Sequence, residues 1–332
     1  MRILSGVQPS GKLHIGNYFG AIKQFVDMQN EGDGYYFIAD GHALTTVRDR
    51  DTMREYVRDV ALDYMALGLD PSKATLFRQS DIPQVFELSW ILATLAPMGL
   101  LERAHSYKDK IAKGFSPEVG LFTYPILMAA DILVYDSDAV PVGKDQKQHL
   151  EITRDLAIKF NLAYTKDFDP QTGEGGVLRL PREIIKDESA VVPGTDGEKM
   201  SKSYGNTIDL FGTDKQLKKQ IMGIVTDSTP LEDPKDPEKC NVFTLLKLFA
   251  SESELEEIAG EYRAGGVGYG HFKGKLLEKV HELLDPAREK RAELLQNLDY
   301  VEDVLQKGAA QAREAASDVL DRVKSACGLK PA

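Results

Sequence analysis

An alternation at the amino terminus restricts what this chain can fold into more than any other feature. Ile3 to Val7 reads as a strand. Phe19, Ile22, Phe25 and Val26 then share one helical face that closes near Gly32-Asp33-Gly34, and Tyr35-Tyr36-Phe37-Ile38-Ala39-Asp40 reads as a second, buried strand. Strand, crossover helix and strand make a β-α-β unit, which commits the chain to a parallel sheet flanked by helices. The pattern continues: Thr52 with Glu55 gives a capping-box signal for a helix that turns Met53, Tyr56, Val57, Val60 and Tyr64 inward, stopped by Leu69-Asp70-Pro71. Ala74 to Phe77 reads as a further strand, and helices are expected over Gln84 to Leu95 and Phe122 to Tyr135. A β-like Ala139-Val140-Pro141-Val142 leads through Gly143 into a helix over Asp145 to Phe160. Residues 165 to 180 read as a surface hairpin or loop. From Asn241 onward the pattern is helical almost throughout, with Leu245, Leu248, Phe249, Leu276, Leu277, Val280 and Leu284 at helical spacing. This places a sheet-containing domain over residues 1–200 and a helical domain over 201–332, without internal repeats.

Composition excludes several classes of function. No run approaches the ~20 apolar residues of a membrane span, and the start lacks the apolar core of a signal peptide, so a cytoplasmic location with no membrane partner is expected. Cys240 and Cys327 give no disulfide framework, and the six His lack metal-ligand spacing, so no protein-bound metal is expected. The net charge of −11 argues against a protein that coats DNA or other nucleic acid non-specifically. A local basic track remains open: Lys215, Lys218, Lys219, Arg288, Lys290, Arg291, Arg313, Arg322 and Lys324. The alternative is that these are solvated helix faces mixed with Asp and Glu. Trp90, on an apolar helix face, is read as core or dimer interface, while His105, His149, His271 and His281 are read as structural or surface residues.

Two short stretches carry chemistry. Gln8-Pro9-Ser10-Gly11-Lys12-Leu13-His14-Ile15-Gly16-Asn17 sits at the first strand-to-helix junction, the end of a parallel sheet where ligands bind. A helix start there faces an anion, Gly16 lets a flat ring approach the backbone, and His14 can donate to phosphate oxygens. Lys199-Met200-Ser201-Lys202-Ser203, among Gly194, Gly197 and Gly205, reads as a flexible loop whose two lysines can reach one polyphosphate and offset charge on leaving pyrophosphate. Each motif alone is also compatible with an ordinary loop; the pair is far more specific. A third stretch puts Tyr124, Met128, Asp131 and Tyr135 on one helical face, setting a carboxylate among aromatic and thioether groups. Such an acid can accept from an indole N–H, or can cap a neighbouring helix or meet a lysine.

The two signatures together resemble those of the class I aminoacyl-tRNA synthetases. The runs Gln8-Pro9-Ser10-Gly11, Tyr124 to Leu133 and Val140 to His149 are similar to the bacterial tryptophanyl-tRNA synthetases, nearly end to end. The resemblance implies a homodimer with a doubly wound, Rossmann-like nucleotide-binding domain and a helical domain that contacts the tRNA anticodon. It implies ATP-dependent attachment of L-tryptophan to tRNA(Trp) through an adenylate, with Mg²⁺ accompanying ATP. Catalytic roles fall on His14, Asn17, Lys199 and Lys202. ATP contacts fall on Gln8, Pro9, Ser10, Gly16, Asn17, Lys110, Gly143, Lys144, Asp145 and the loop Lys199, Met200, Ser201, Lys202, Ser203, with Ala190 as a backbone contact to adenine. Tryptophan contacts fall on Tyr124, Met128, Asp131, Gln146, His42 and Leu4. Leu4 stands where related enzymes often carry Phe, and Asp40-Gly41-His42 replaces a Gln-containing version, so the pocket wall departs from the usual pattern. Alternatives are a tyrosyl-tRNA synthetase, which would carry a Gln near Met128, a non-catalytic paralogue, or a nucleotidyltransferase without so large a helical part.

Overall fold

β1 (Arg2–Val7) runs through the middle of a five-stranded sheet of order β3-β2-β1-β4-β5, flanked by β2 (Asp33–Ile38), β3 (Ala74–Arg78), β4 (Ala139–Pro141) and β5 (Arg182–Ile184). Every neighbouring pair is parallel, with Leu4 beside Tyr35, Phe37 beside Phe77 and Ile3 beside Ala139. The computed structural model describes residues 1–103, 114, 118–141, 143, 147–184 and 192–330.

The sheet is buried on both faces, as alternation along β2 demands. Tyr36 and Ile38 join a core with Ile15, Phe25 and Tyr64, while Tyr35 and Phe37 join a second core with Leu4, Phe77 and Ile126. Helix α1 opens as Ile15–Asn17, passes through a π-helical stretch, Tyr18–Ile22, and ends as Lys23–Met28. It is followed by α2 (Asp40–Ala43), α3 (Arg50–Ala66), α4 (Pro83–Ala93), α5 (Met98–Glu102), α6 (Val119–Leu133) and α7 (Lys147–Tyr164). The helical part comprises α8 (Asp214–Met222), α9 (Asn241–Leu246), α10 (Glu252–Ala264), α11 (Tyr269–Leu295) and α12 (Leu298–Ala326). The architecture is therefore the doubly wound α/β sheet with a helical C-terminal part that the sequence implies. None of the helices among the described residues is long and apolar enough to cross a membrane.

Several local expectations differ. α3 starts at Arg50, and Asp49 rather than Thr52 caps it, its carboxylate accepting from Thr52 N at 2.8 Å. The helix begins earlier because Asp49 already holds extended backbone. Strand β2 ends at Ile38, since Asp40 opens α2 instead. Of the two readings for residues 165 to 180 the loop is the one observed: they form turns, which buried Asn161 pins through bonds to the backbone of Val177 and Leu178. Trp90 is 74% exposed and is not core.

α12 returns from the end of the chain to lie against β3, the strand at the sheet's edge. Its start, Val301 to Leu305, joins one core and its continuation, Ala309 to Val323, joins the other. Gly308 permits this approach: a Cβ there would meet the Leu76 carbonyl oxygen at 1.9 Å. Arg78 grips Glu302 through two bonds at 2.9 and 2.7 Å, and Arg313 donates to the Asp81 carbonyl at 2.8 Å. Arg322 pairs with Asp136 and Lys324 with Glu87. On α11, Arg291 reaches Asp63 at 2.6 Å and Asp59 at 3.0 Å, and Arg288 pairs with Asp214. Five of the nine basic residues in the candidate track thus fasten helices to other parts of the fold, while Lys215, Lys218 and Lys219 lie on the exposed side of α8.

Candidate active site

A cavity of about 490 Å³ opens at the carboxyl ends of β1 and β4, lined at one end by Asp131 and at the other by Gly16 and Lys199. Asp131 comes from α6, whose Met128 and Tyr124 lie on the same side one and two turns earlier and also line the space. Asp131 is 2% exposed and, among the described residues, is neither a helix cap nor a lysine partner. Gln79 donates its amide to both carboxylate oxygens, at 2.8 and 2.9 Å, and His42 Nε2 lies 2.9 Å from Oδ2. Burial pushes the Asp131 carboxyl up, and the bonds from His42 and Gln79 oppose that rise. Tyr124 is held in turn, its hydroxyl 2.6 Å from Nε2 of buried His149, so this histidine is part of the pocket's support.

The other end is made by two segments that meet across 184 residues, with Gly16 N donating to Met200 Sδ at 3.3 Å. Ile15 N donates to Ile208 O at 2.9 Å, and Leu210 N to Leu13 O at 3.2 Å, so the segment after the lysine loop pairs with the first signature through one antiparallel bridge, His14 to Asp209. His14 is the N-cap of α1, and Asn17 turns back to accept its backbone N–H at 3.0 Å. The imidazole is 6% exposed and its buried Nδ1 has no hydrogen-bond partner among the described residues. Burial, with the Lys202 ammonium nearby, lowers its pKa to about 4, so His14 meets any anion as a neutral imidazole. Gly16 is required here, because a Cβ would lie 2.9 Å from His14 Nδ1 and 3.3 Å from Met200 Cβ.

The lysine loop, expected to be loosely held, is tied to buried Asn206. That side chain accepts from Ser201 N at 2.8 Å and donates to Asp196 at 2.7 Å and to the Lys199 carbonyl at 3.1 Å. Ser201 caps a short turn, Lys202–Tyr204, which Gly205 ends at φ 67°. Lys202 Nζ would be 3.6 Å from a Cβ on Gly11, which places the ammonium over the first signature. Crowding lowers the Lys202 pKa although the side chain reaches solvent, and Asp209 and Asp63 oppose that shift.

Of the residues expected at the site, Leu4, Gln8, His42, Tyr124, Met128 and Asp131 line the cavity. Gly16, Asn17, Gly143 and Lys199 do so as well. Met200 is buried beneath it, and Pro9, Ser10, Ser201, Lys202 and Ser203 flank it in the two signature loops. Lys110, Lys144, Asp145, Gln146 and Ala190 lie outside the described residues. Sequence reasoning missed Gln79, whose only signal is its place just past the carboxyl end of a strand. It also missed Phe37, which supplies an aromatic wall where Leu4 departs from the expected Phe; a Cβ on Gly6 would lie 2.8 Å from that ring.

Comparison with known proteins gives a consistent result. The chain is 56% identical to the tryptophan–tRNA ligase of Fusobacterium nucleatum, covering 99% of this chain and 98% of that protein. It is 56% identical to the tryptophan–tRNA ligase of Rhodopirellula baltica, over 99% of this chain and 100% of that protein. A solved structure of the Campylobacter jejuni tryptophanyl-tRNA synthetase, complexed with ADP and tryptophan, superimposes with a TM-score of 0.90 at 51% identity, covering 99% and 100% of the two chains. The family model of the class I tRNA synthetases (W and Y) matches residues 1–285, and the chain belongs to that family.

Proposed function

We propose that this chain activates L-tryptophan with ATP and transfers it to tRNA(Trp). The observation that carries the reading is the single cavity with a buried acid set in apolar walls at one end and the two signature segments at the other. An indole supplies a large apolar body and one N–H donor, which Met128, Phe37 and Asp131 complement. The tryptophan carboxylate attacks the α-phosphate in line, the bond to the β-phosphate oxygen breaks, and pyrophosphate leaves with the negative charge. A ribose hydroxyl of the terminal adenosine then attacks the adenylate carbonyl, loses its proton and expels AMP. Lys199 and Lys202 stabilise charge growing on the departing phosphates, while His14, Asn17, Gln8, Pro9, Ser10 and Gly143 hold the nucleotide. Mg²⁺ enters with ATP as charge on the phosphates; among the described residues no three His, Cys, Asp or Glu side chains gather to hold it, and no step is assigned to it.

A homodimer is supported by the exposure of four large apolar side chains, Phe86, Trp90, Met98 and Val119, on α4, α5 and α6. The part from residue 201 onward is assigned to the tRNA anticodon, with α12 held against the sheet, and the location is taken as cytoplasmic. Amino-acid-dependent ATP–pyrophosphate exchange with tryptophan and tyrosine side by side tests the reading. Exchange with tryptophan is expected; exchange with tyrosine alone would move the substrate assignment, and exchange with neither would make the chain a non-catalytic paralogue.

A further inference from the structure

We infer that Gln79 is the positioning residue that holds Asp131 as an acceptor turned into the amino-acid cavity, and that Gly41 is the position that lets Gln79 stand there. The inference rests on the tryptophan reading given above. Gln79 is 0% exposed, and every polar atom of its amide is spoken for. Its nitrogen donates to both Asp131 oxygens, at 2.8 and 2.9 Å, and its oxygen accepts the His42 backbone N–H at 3.2 Å. The amide cannot be reversed, since that would aim a carbonyl at a carboxylate and a donor at a donor. A single side chain thus fixes the acid and the start of the segment that carries His42.

The donor inventory shows what this fixing does. Asp131 Oδ2 accepts from Gln79 and lies against His42 Nε2, whereas among the described residues Oδ1 accepts from Gln79 alone. A carboxylate oxygen accepts two hydrogen bonds, so Oδ1 retains capacity for one further donor. A buried acid without Gln79 would more readily hold its own proton and become a donor, which an indole N–H cannot satisfy.

Gly41 enters through space rather than conformation. A Cβ built there would lie 2.8 Å from Gln79 Oε1 and 3.2 Å from its Cδ, with Phe86 Cζ at 3.1 Å on the other side. The methyl group has no other direction to take, so Gln79 must move and its bonds to Asp131 must loosen. The departure from the expected pattern at position 41 is therefore matched to the glutamine beneath it.

Tryptophan-dependent ATP–pyrophosphate exchange on the full chain, across pH 6 to 8.5, tests the pair. Gln79→Met, which keeps the length but has no donor, should raise the tryptophan KM about tenfold or more while the ATP KM stays within about twofold. Gly41→Ala should shift the tryptophan KM in the same direction, and the double variant should be no worse than Gln79→Met, because both remove one interaction. Gln79→Glu should regain tryptophan affinity as pH falls, since one shared proton restores a donor to Asp131. The ionisable groups around that pair are Asp131, Asp40, His42, Tyr135 and Tyr124, with Lys199 at the cavity's far end; the unsubstituted chain should show no such low-pH gain. A tryptophan KM within about twofold of the unsubstituted chain in Gln79→Met, or fully additive effects in the double variant, would overturn the inference alone. No tryptophan-dependent exchange by the unsubstituted chain would overturn the tryptophan reading itself, and this inference with it.

Discussion

The two ends of the cavity are built by different means. At the acid end, side chain holds side chain: Gln79, His42 and Asp131 come from beyond β3, from α2 and from α6, with Gln79 and Asp131 buried and His42 partly so. At the lysine end, backbone holds backbone: Ile15 to Ile208, Leu13 to Leu210 and Met200 to Val192, with Asn206 tying the loop. Side-chain bonds therefore set the amino-acid end before any ligand arrives, whereas the phosphate end is set by backbone pairing of two distant segments whose Leu13, Ile15, Val192, Met200, Ile208 and Leu210 join the core. A residue at the first end should govern affinity for one substrate, and a residue at the second should govern the rate of the chemical step.

Lys202→Ala gives the strongest test of that contrast. Activation rate at saturating ATP should fall about 10²–10³-fold, the range for removing one preorganised donor to a transition state. A rise in ATP KM with the rate intact would make the lysine a ground-state contact and erase the contrast. Asp131→Asn comes next: the tryptophan KM should rise about ten- to a hundredfold, because a bond to a charged acceptor contributes about 1.5–3 kcal/mol. Equal movement of the ATP KM in the same exchange assay would show that the ends are not separable.

Smaller effects concern stability. The His14 pKa of about 4 lies below the unfolded value of 6.5, so as pH falls the unfolded chain takes up a proton first and folding weakens between those two values. The loss is about 2 kcal/mol at pH 5 and vanishes above pH 7. Thermal melts at pH 5 and pH 7.5 should differ less in His14→Gln than in the unsubstituted chain; an unchanged difference would place the sensitivity elsewhere. Gly205→Ala should cost least, about 1 kcal/mol for a left-handed residue with open space around it, read as a fall in Tm of about 2 °C. A larger fall would show that the lysine loop is coupled to the core as tightly as the acid end.

What the sequence disclosed follows the same division. Periodicity exposed β1, α1 and β2, because Tyr36 and Ile38 face one core and Tyr35 and Phe37 the other. The signatures were legible since their residues are contiguous. Gln79 was not, because its partners Asp131 and His42 are 52 and 37 positions away and a lone glutamine after a strand carries no pattern. Asn206 was hidden likewise: a glycine-rich loop reads as flexible until one side chain is seen to bind it at Ser201, Asp196 and Lys199. Trp90 shows a different limit: an apolar helix face reads equally as core or as interface, and its exposure removes only the first. Arg291 and Arg313 read as surface charge, yet each ends on an acceptor more than two hundred residues earlier.

The return of α12 to the sheet has a consequence for biosynthesis. β3 is translated early, but the helix that covers its outer border, with Gly308 seated on Leu76, leaves the ribosome more than two hundred residues later. The nascent nucleotide-binding half must therefore wait with a bare strand rim, and a premature stop before Leu298 would leave that rim open to pairing with another chain.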